Sequence, residues 1–138
     1  MRRNIVETDR LDSSDSVALP RKRILCATDL APRSEHAVRR AAMLARQVDA
    51  EVLFVHVVGE RQPERLVYLK ATRARMRLMT QAERAMVHAP ELAQVEIHLG
   101  KAAHVIANRV REWNADLIVL PAPVSHRYQN LLGTNAER

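Results

Sequence analysis

The chain has 138 residues, 47% of them hydrophobic, with 22 Lys and Arg against 16 Asp and Glu, a formal net charge of +6 and one cysteine. That is one domain's worth of chain, long enough to bury a core without staples, and a lone cysteine excludes an internal disulfide, which fits a reduced, cytoplasmic compartment. No apolar run approaches the ~18 to 20 residues of a membrane span, and Met1-Arg2-Arg3-Asn4 has no apolar stretch behind it, so neither a membrane partner nor a signal peptide is expected.

Residues 1–20 carry Asp9, Asp12, Ser13, Ser14, Asp15 and Ser16 without a sustained apolar period and are expected to form a flexible tail ahead of a single domain over 21–138. Arg23 to Thr28 reads as a buried parallel strand, with Cys26 as a small core residue and not a nucleophile. Asp29 follows at once, then Pro32 and Ser34. In an open α/β sheet this is where ligands bind, beyond the carboxyl ends of the strands. Asp29 therefore has two readings, a residue that caps the turn or a carboxylate that meets a ligand.

From Ser34, small and apolar residues at Ala37, Val38, Ala41, Ala42, Leu44, Ala45 and Val48 recur at helical spacing, and Ser34 is placed to cap the first turn. Glu51 to Val58 is a second strand, apolar on both faces and closed by Gly59; His56 within it reads as a satisfied core or strand-end histidine, because no second histidine or cysteine stands at metal spacing. A long helix is expected from Pro63 to about Val87, with an apolar stripe of Leu66, Leu69, Met76, Leu78, Met79, Ala82 and Met86.

Much of the excess charge lies here, with Arg61, Arg65, Lys70, Arg73, Arg75, Arg77 and Arg84 against Glu64 and Glu83. Basic segments invite a nucleic-acid reading, but the few aromatics form no stacking platform, so a solvated face is preferred and no nucleic-acid partner is expected. Val95 to Leu99 alternates apolar and polar residues, the mark of a strand near the sheet edge. Gly100 precedes a third helix bearing Ala102, Ala103, Val105, Ile106, Val110 and Trp113. His98 and His104 flank that turn without the spacing of a metal site.

Asp116 to Leu120 is the most apolar strand and is expected beside the first, in a central place. An irregular stretch from Pro121 to Asn130 leads to Leu131-Leu132-Gly133-Thr134, where another helix begins. Strands alternating with helices specify an α/β, doubly wound parallel sheet of four strands with right-handed crossovers.

The segments Ile24 to Ser34, Val55 to Val58, Gly100 to Ile106, Asp116 to Leu120 and Leu131 to Arg138, in this order and spacing, together resemble the universal stress protein family over about residues 22 to 138. The resemblance implies a Rossmann-like, adenine-nucleotide-hydrolase-like fold of five parallel strands and a cytoplasmic homodimer linked to stress survival. It also implies an adenosine site in nucleotide-binding members, built from an aspartate after the first strand, backbone near the end of the second, and a Gly-x-x-Gly-x9-Gly-Ser/Thr phosphate loop after the fourth. Asp29 and Val57 match the first two parts, and Gly133 and Thr134 match the end of the third.

Where the first two loop glycines belong, the chain has Pro121 and Val124, with Pro123 between them, and only eight residues separate Val124 from Gly133. Proline has no N-H to offer a phosphate and valine resists positive φ, as in the branch of the family that shares this chain's Asp-Leu-x-Pro turn. The expectation is thus a non-catalytic stress-response or regulatory homodimer with a protein partner, no required cofactor and weak or no ATP binding. An adenine-nucleotide-binding switch using Asp29, Val57, Gly133 and Thr134 is the alternative, with slow ATP hydrolysis only if nucleotide binds. No Gly-x-Ser-x-Gly, His-Glu-x-x-His, Cys-x-x-Cys or intact P-loop argues for an enzyme. The family's fifth strand is expected to have no counterpart in the chain, which reads either as truncated at its C-terminal end or as leaving that edge of the sheet to a partner.

Overall fold

Two apolar runs carry the centre of the fold in the computed structural model, which describes residues 20–121. β1 (Arg23–Ala27) and β2 (Glu51–Val58) are buried along nearly their whole length. Successive side chains of a strand point to opposite faces, so Ile24, Cys26, Val52 and Phe54 enter one core, and Leu25, Ala27, Leu53 and Val55 enter a second on the other side. β3 (Ala93–Leu99) and β4 (Leu117–Val119) complete a parallel sheet in the order β3-β2-β1-β4.

Helices α1 (Glu35–Val48), α2 (Glu64–Ala85) and α3 (Ala102–Trp113) make the crossovers. α1 lays Ala37, Val38, Ala41, Ala42 and Ala45 against the first core, and α2 adds Ala74, Leu78 and Ala82 beside it. α3 covers the opposite face with Ile106. Both α1 and α3 stop on a left-handed residue, Asp49 (φ 58°) and Asn114 (φ 57°), two of the side chains best able to tolerate that conformation.

Two sequence expectations change. The stripe expected on α2 is only half right: Leu78, Ala82 and nearby Met86 are buried, but Leu66, Leu69, Met76 and Met79 are exposed and Val67 and Ala74 take the inner face. Small Ala74 and Ala82 let the helix lie close to the sheet, which rotates the larger side chains outward. The last strand does pair with β1, Ile24 opposite Leu117, yet it is the outermost of the described strands and Leu117 and Ile118 are exposed. Residues 1–19 and 122–138, on which the flexible tail, the truncated end, the missing fifth strand, Gly133 and Thr134 fall, lie outside the described residues.

The end of the sheet where β1 and β4 begin is clasped by polar groups. The Arg23 amide donates to Asp116 Oδ2 at 2.9 Å and the Asp116 amide donates to the Arg23 carbonyl at 2.8 Å. The Arg23 guanidinium donates to the Trp113 carbonyl at 2.8 Å and lies 5.3 Å from the centre of the indole ring. On the outer face of β3, Arg109 of α3 grips Glu96 with two hydrogen bonds, 2.9 and 3.0 Å, and His98 Nε2 donates to the same carboxylate at 2.7 Å.

Candidate functional site

The opposite end of the sheet is shaped by the turn after β1. Thr28 continues the ladder, its amide donating to the Val55 carbonyl at 3.0 Å, and its side-chain oxygen accepts from the Leu30 amide at 3.0 Å. Leu30 sits in the left-handed region (φ 64°), a conformation costing an ordinary side chain roughly 1–2 kcal/mol. The turn holds it there from both sides, since its carbonyl accepts from Arg77 Nη2 of α2 at 2.8 Å.

Asp29 knits the same turn. Its Oδ1 accepts from the Ala31 amide at 2.9 Å and from the Ser34 hydroxyl, and Oδ2 lies 3.5 Å from Arg33 Nη2. Its side chain is only 10% exposed. Ser34 is therefore not the side-chain cap that its position suggests: its hydroxyl oxygen accepts no bond from the first amides of α1, and the fully buried side chain donates its proton to the Asp29 carboxylate. A single 3₁₀ turn, Pro32–Ser34, intervenes and moves the hydroxyl away from the first amides of α1.

His56 lies next to this turn, its Nδ1 2.9 Å from the Thr28 carbonyl. A carbonyl can only accept, so Nδ1 carries the hydrogen. Such a contact is what the strand-end reading of His56 requires. Cys26, deep in the sheet, has its thiol pushed up to about 12 by burial and is inert, as a core residue should be.

Between the ends of β1 and β2 and the side of α2 lies a cleft of about 420 Å³, within the ~300–1,000 Å³ range of small-molecule sites. Asp29, Leu30, His56 and Val57 line one side, and Lys70, Arg73 and Arg77 line the other. Lys70 Nζ donates to Gln62 Oε1 at 2.7 Å, and Gln62 Nε2 in turn donates to the Gly59 carbonyl at 3.0 Å. A second cleft, about 450 Å³, shares Gly59 and Gln62 with the first and extends to Gly100 and Lys101. Gly100 closes β3 at φ 135°, its amide donating to the Val58 carbonyl at 3.0 Å. Among the described residues no group of three or more His, Cys, Asp or Glu could hold a metal ion, and no helix is long and apolar enough to cross a membrane.

The model of the universal stress protein family matches residues 20–138. The chain belongs to the universal stress protein family. Universal stress protein UspA of Lactobacillus plantarum is similar in structure, with 20% identity, a TM-score of 0.66 and coverage of 86% of this chain and 90% of that one. A universal stress protein family member from Burkholderia pseudomallei has 23% identity and a TM-score of 0.61 over 85% and 90% of the two chains. The universal stress protein from Archaeoglobus fulgidus, solved in complex with dAMP, has 18% identity and a TM-score of 0.62 over 83% and 91%. At these identities the likeness is one of fold. No match was found among curated proteins.

Of the residues that the universal stress protein resemblance singles out, Asp29 and Val57 line the same cleft, and Gly133 and Thr134 lie outside the described residues. Pro121, where the first loop glycine belongs, is buried just past β4. The sequence reading missed Ser34 as the partner of Asp29, and it missed Lys70, Arg73 and Arg77 as cleft residues. The signal was present in the spacing: positions 70, 73 and 77 share one face of a helix, flanking Ala74 on the side that packs inward.

Proposed function

We propose that this universal stress protein is a non-catalytic stress-response or regulatory protein, a cytoplasmic homodimer that engages a protein partner and binds ATP weakly or not at all. The observation that carries the reading is the state of Asp29. Its carboxylate is taken up by the Ala31 amide, the Ser34 hydroxyl and Arg33, so it serves the turn first. Buried Pro121, with no N-H, in the place of a loop glycine supports the same conclusion, because a phosphate cradle is made of amides. Calorimetric titration of the full chain with Mg-ATP tests it, beside light scattering for the dimer. No saturable binding at micromolar nucleotide is expected.

A second reading has its own support. Asp29 and Val57 line one cleft of small-molecule size, and the Archaeoglobus fulgidus relative was solved with dAMP. In it the protein is an adenine-nucleotide-binding switch using Asp29, Val57, Gly133 and Thr134. Micromolar Mg-ATP binding whose thermal stabilisation disappears in Asp29→Ala would replace the first reading with this one.

A further inference from the structure

The cations of α2 stand on the flank of the cleft away from Pro121. The sheet order places β4 on one side of β1 and β2 on the other, and α2 packs against β2 and β3. A ligand held by α2 therefore takes its charge on the β2 and β3 side of the sheet, away from β4.

Exposed basic residues on a helix are ordinarily a solvated face, and three features set these apart. Lys70, Arg73 and Arg77 converge on one cleft, whereas Arg75 and Arg84 of the same helix line other hollows. Lys70 and Arg77 are held in position by neutral acceptors, the Gln62 side chain and the Leu30 carbonyl, which fix the side chains without neutralising them. Among the described residues none of the three forms an ion pair. An ammonium has three donors and a guanidinium five, so each keeps donors for a ligand after its anchoring bond.

The rest of the lining narrows the class of ligand. Among the described residues, Asp29 is the one carboxylate lining this cleft, against three cations. Leu30, Val58 and Ala74 add an apolar floor suited to an organic group and poorly suited to a bare hydrated ion. Guanidinium groups match the oxygens of phosphate in a bidentate way. We propose that the face of α2 bearing Lys70, Arg73 and Arg77 is an anion subsite for the phosphate group of a small phosphorylated organic ligand, whose remainder rests on Leu30 and Ala74. This goes beyond the proposed regulatory role and does not use the loop after β4.

The test is calorimetric titration of the full chain with AMP, adenosine and inorganic pyrophosphate, in wild type, Arg73→Gln and Arg75→Gln. Arg73 has no hydrogen bond to anchor among the described residues, so its loss should spare the fold; Arg75→Gln removes the same charge from outside the cleft. AMP is expected to bind at least tenfold more tightly than adenosine and to be displaced by pyrophosphate. Arg73→Gln should weaken AMP about tenfold, the scale of one charge-assisted hydrogen bond, and Arg75→Gln less than twofold. Equal binding of AMP and adenosine, absence of AMP binding, or equal losses in the two variants would overturn the proposal. Tight Mg-ATP binding that depends on Asp29 bears on the proposed function instead, because the contrast between Arg73→Gln and Arg75→Gln is read from AMP alone.

Discussion

Replacing Ser34 by alanine isolates the bond that distinguishes this turn from an ordinary helix start. Ser34 is fully buried and its hydroxyl donates to the Asp29 carboxylate. Alanine leaves no cavity of note, so the cost is that of a hydrogen bond to a charged acceptor, ~1.5–3 kcal/mol. An N-cap would cost ~1 kcal/mol and would not involve Asp29. With a urea slope of about 1–3 kcal/mol/M, the midpoint should fall by roughly 1 M. The decisive measurement is the double-mutant cycle with Asp29→Asn, since interacting residues show coupling of about 0.5–3 kcal/mol and independent ones add to within ~0.5 kcal/mol. Coupling above 1 kcal/mol is expected; additive losses would refute the assignment of Ser34 to Asp29.

Other outcomes follow from the described contacts. Burial pushes the Glu96 carboxyl up, but hydrogen bonds from Arg109 and His98 outweigh it and hold it below its ordinary value of 4.5. A carboxylate depressed in the fold contributes stability above that ordinary value and loses it as pH falls through the folded value, so the urea stability gap between wild type and Glu96→Gln should be full at pH 7 and shrink below about pH 4.5; a gap constant with pH contradicts this. Cys26, with its thiol near 12, should resist aromatic disulfide reagents at pH 8 until denaturant opens the fold, and rapid native labelling would contradict its burial. Gly100→Ala puts a Cβ 3.2 Å from Val105 Cγ2 at φ 135°, and should cost ~1–2 kcal/mol in urea unfolding; a neutral result would mean that the β3 turn relaxes.

β1 and β2 were legible because they are apolar on both faces. Ile24 to Ala27 and Val52 to Val58 admit no other element, and the alternation from Val95 to Leu99 gave β3 its edge position correctly. α2 was harder to read. Its 22 residues carry more apolar side chains than one face can bury, and only the close approach allowed by Ala74 and Ala82 decides which are covered. That is a property of the assembled layers and has no local sequence mark. The location of Asp29 was legible for the same reason as β1, but its hydrogen bonds were not, because a 3₁₀ turn between Ala31 and Glu35 redirects Ser34 by a rotation that periodicity does not encode.

The pairing of β4 with β1 joins the two most distant parts of the described chain. The bonds of the Arg23 clasp span 90 and 93 residues, and the ladder they begin holds three residue pairs, against seven between β2 and β3. Closing so long a loop costs chain entropy before any contact rewards it, so this ladder should assemble last during folding and open first during native fluctuations. Amide hydrogens of Leu117 to Val119 would then exchange with solvent ahead of those of Val52 to Val55, making this margin of the described sheet the place where native fluctuations first loosen the domain.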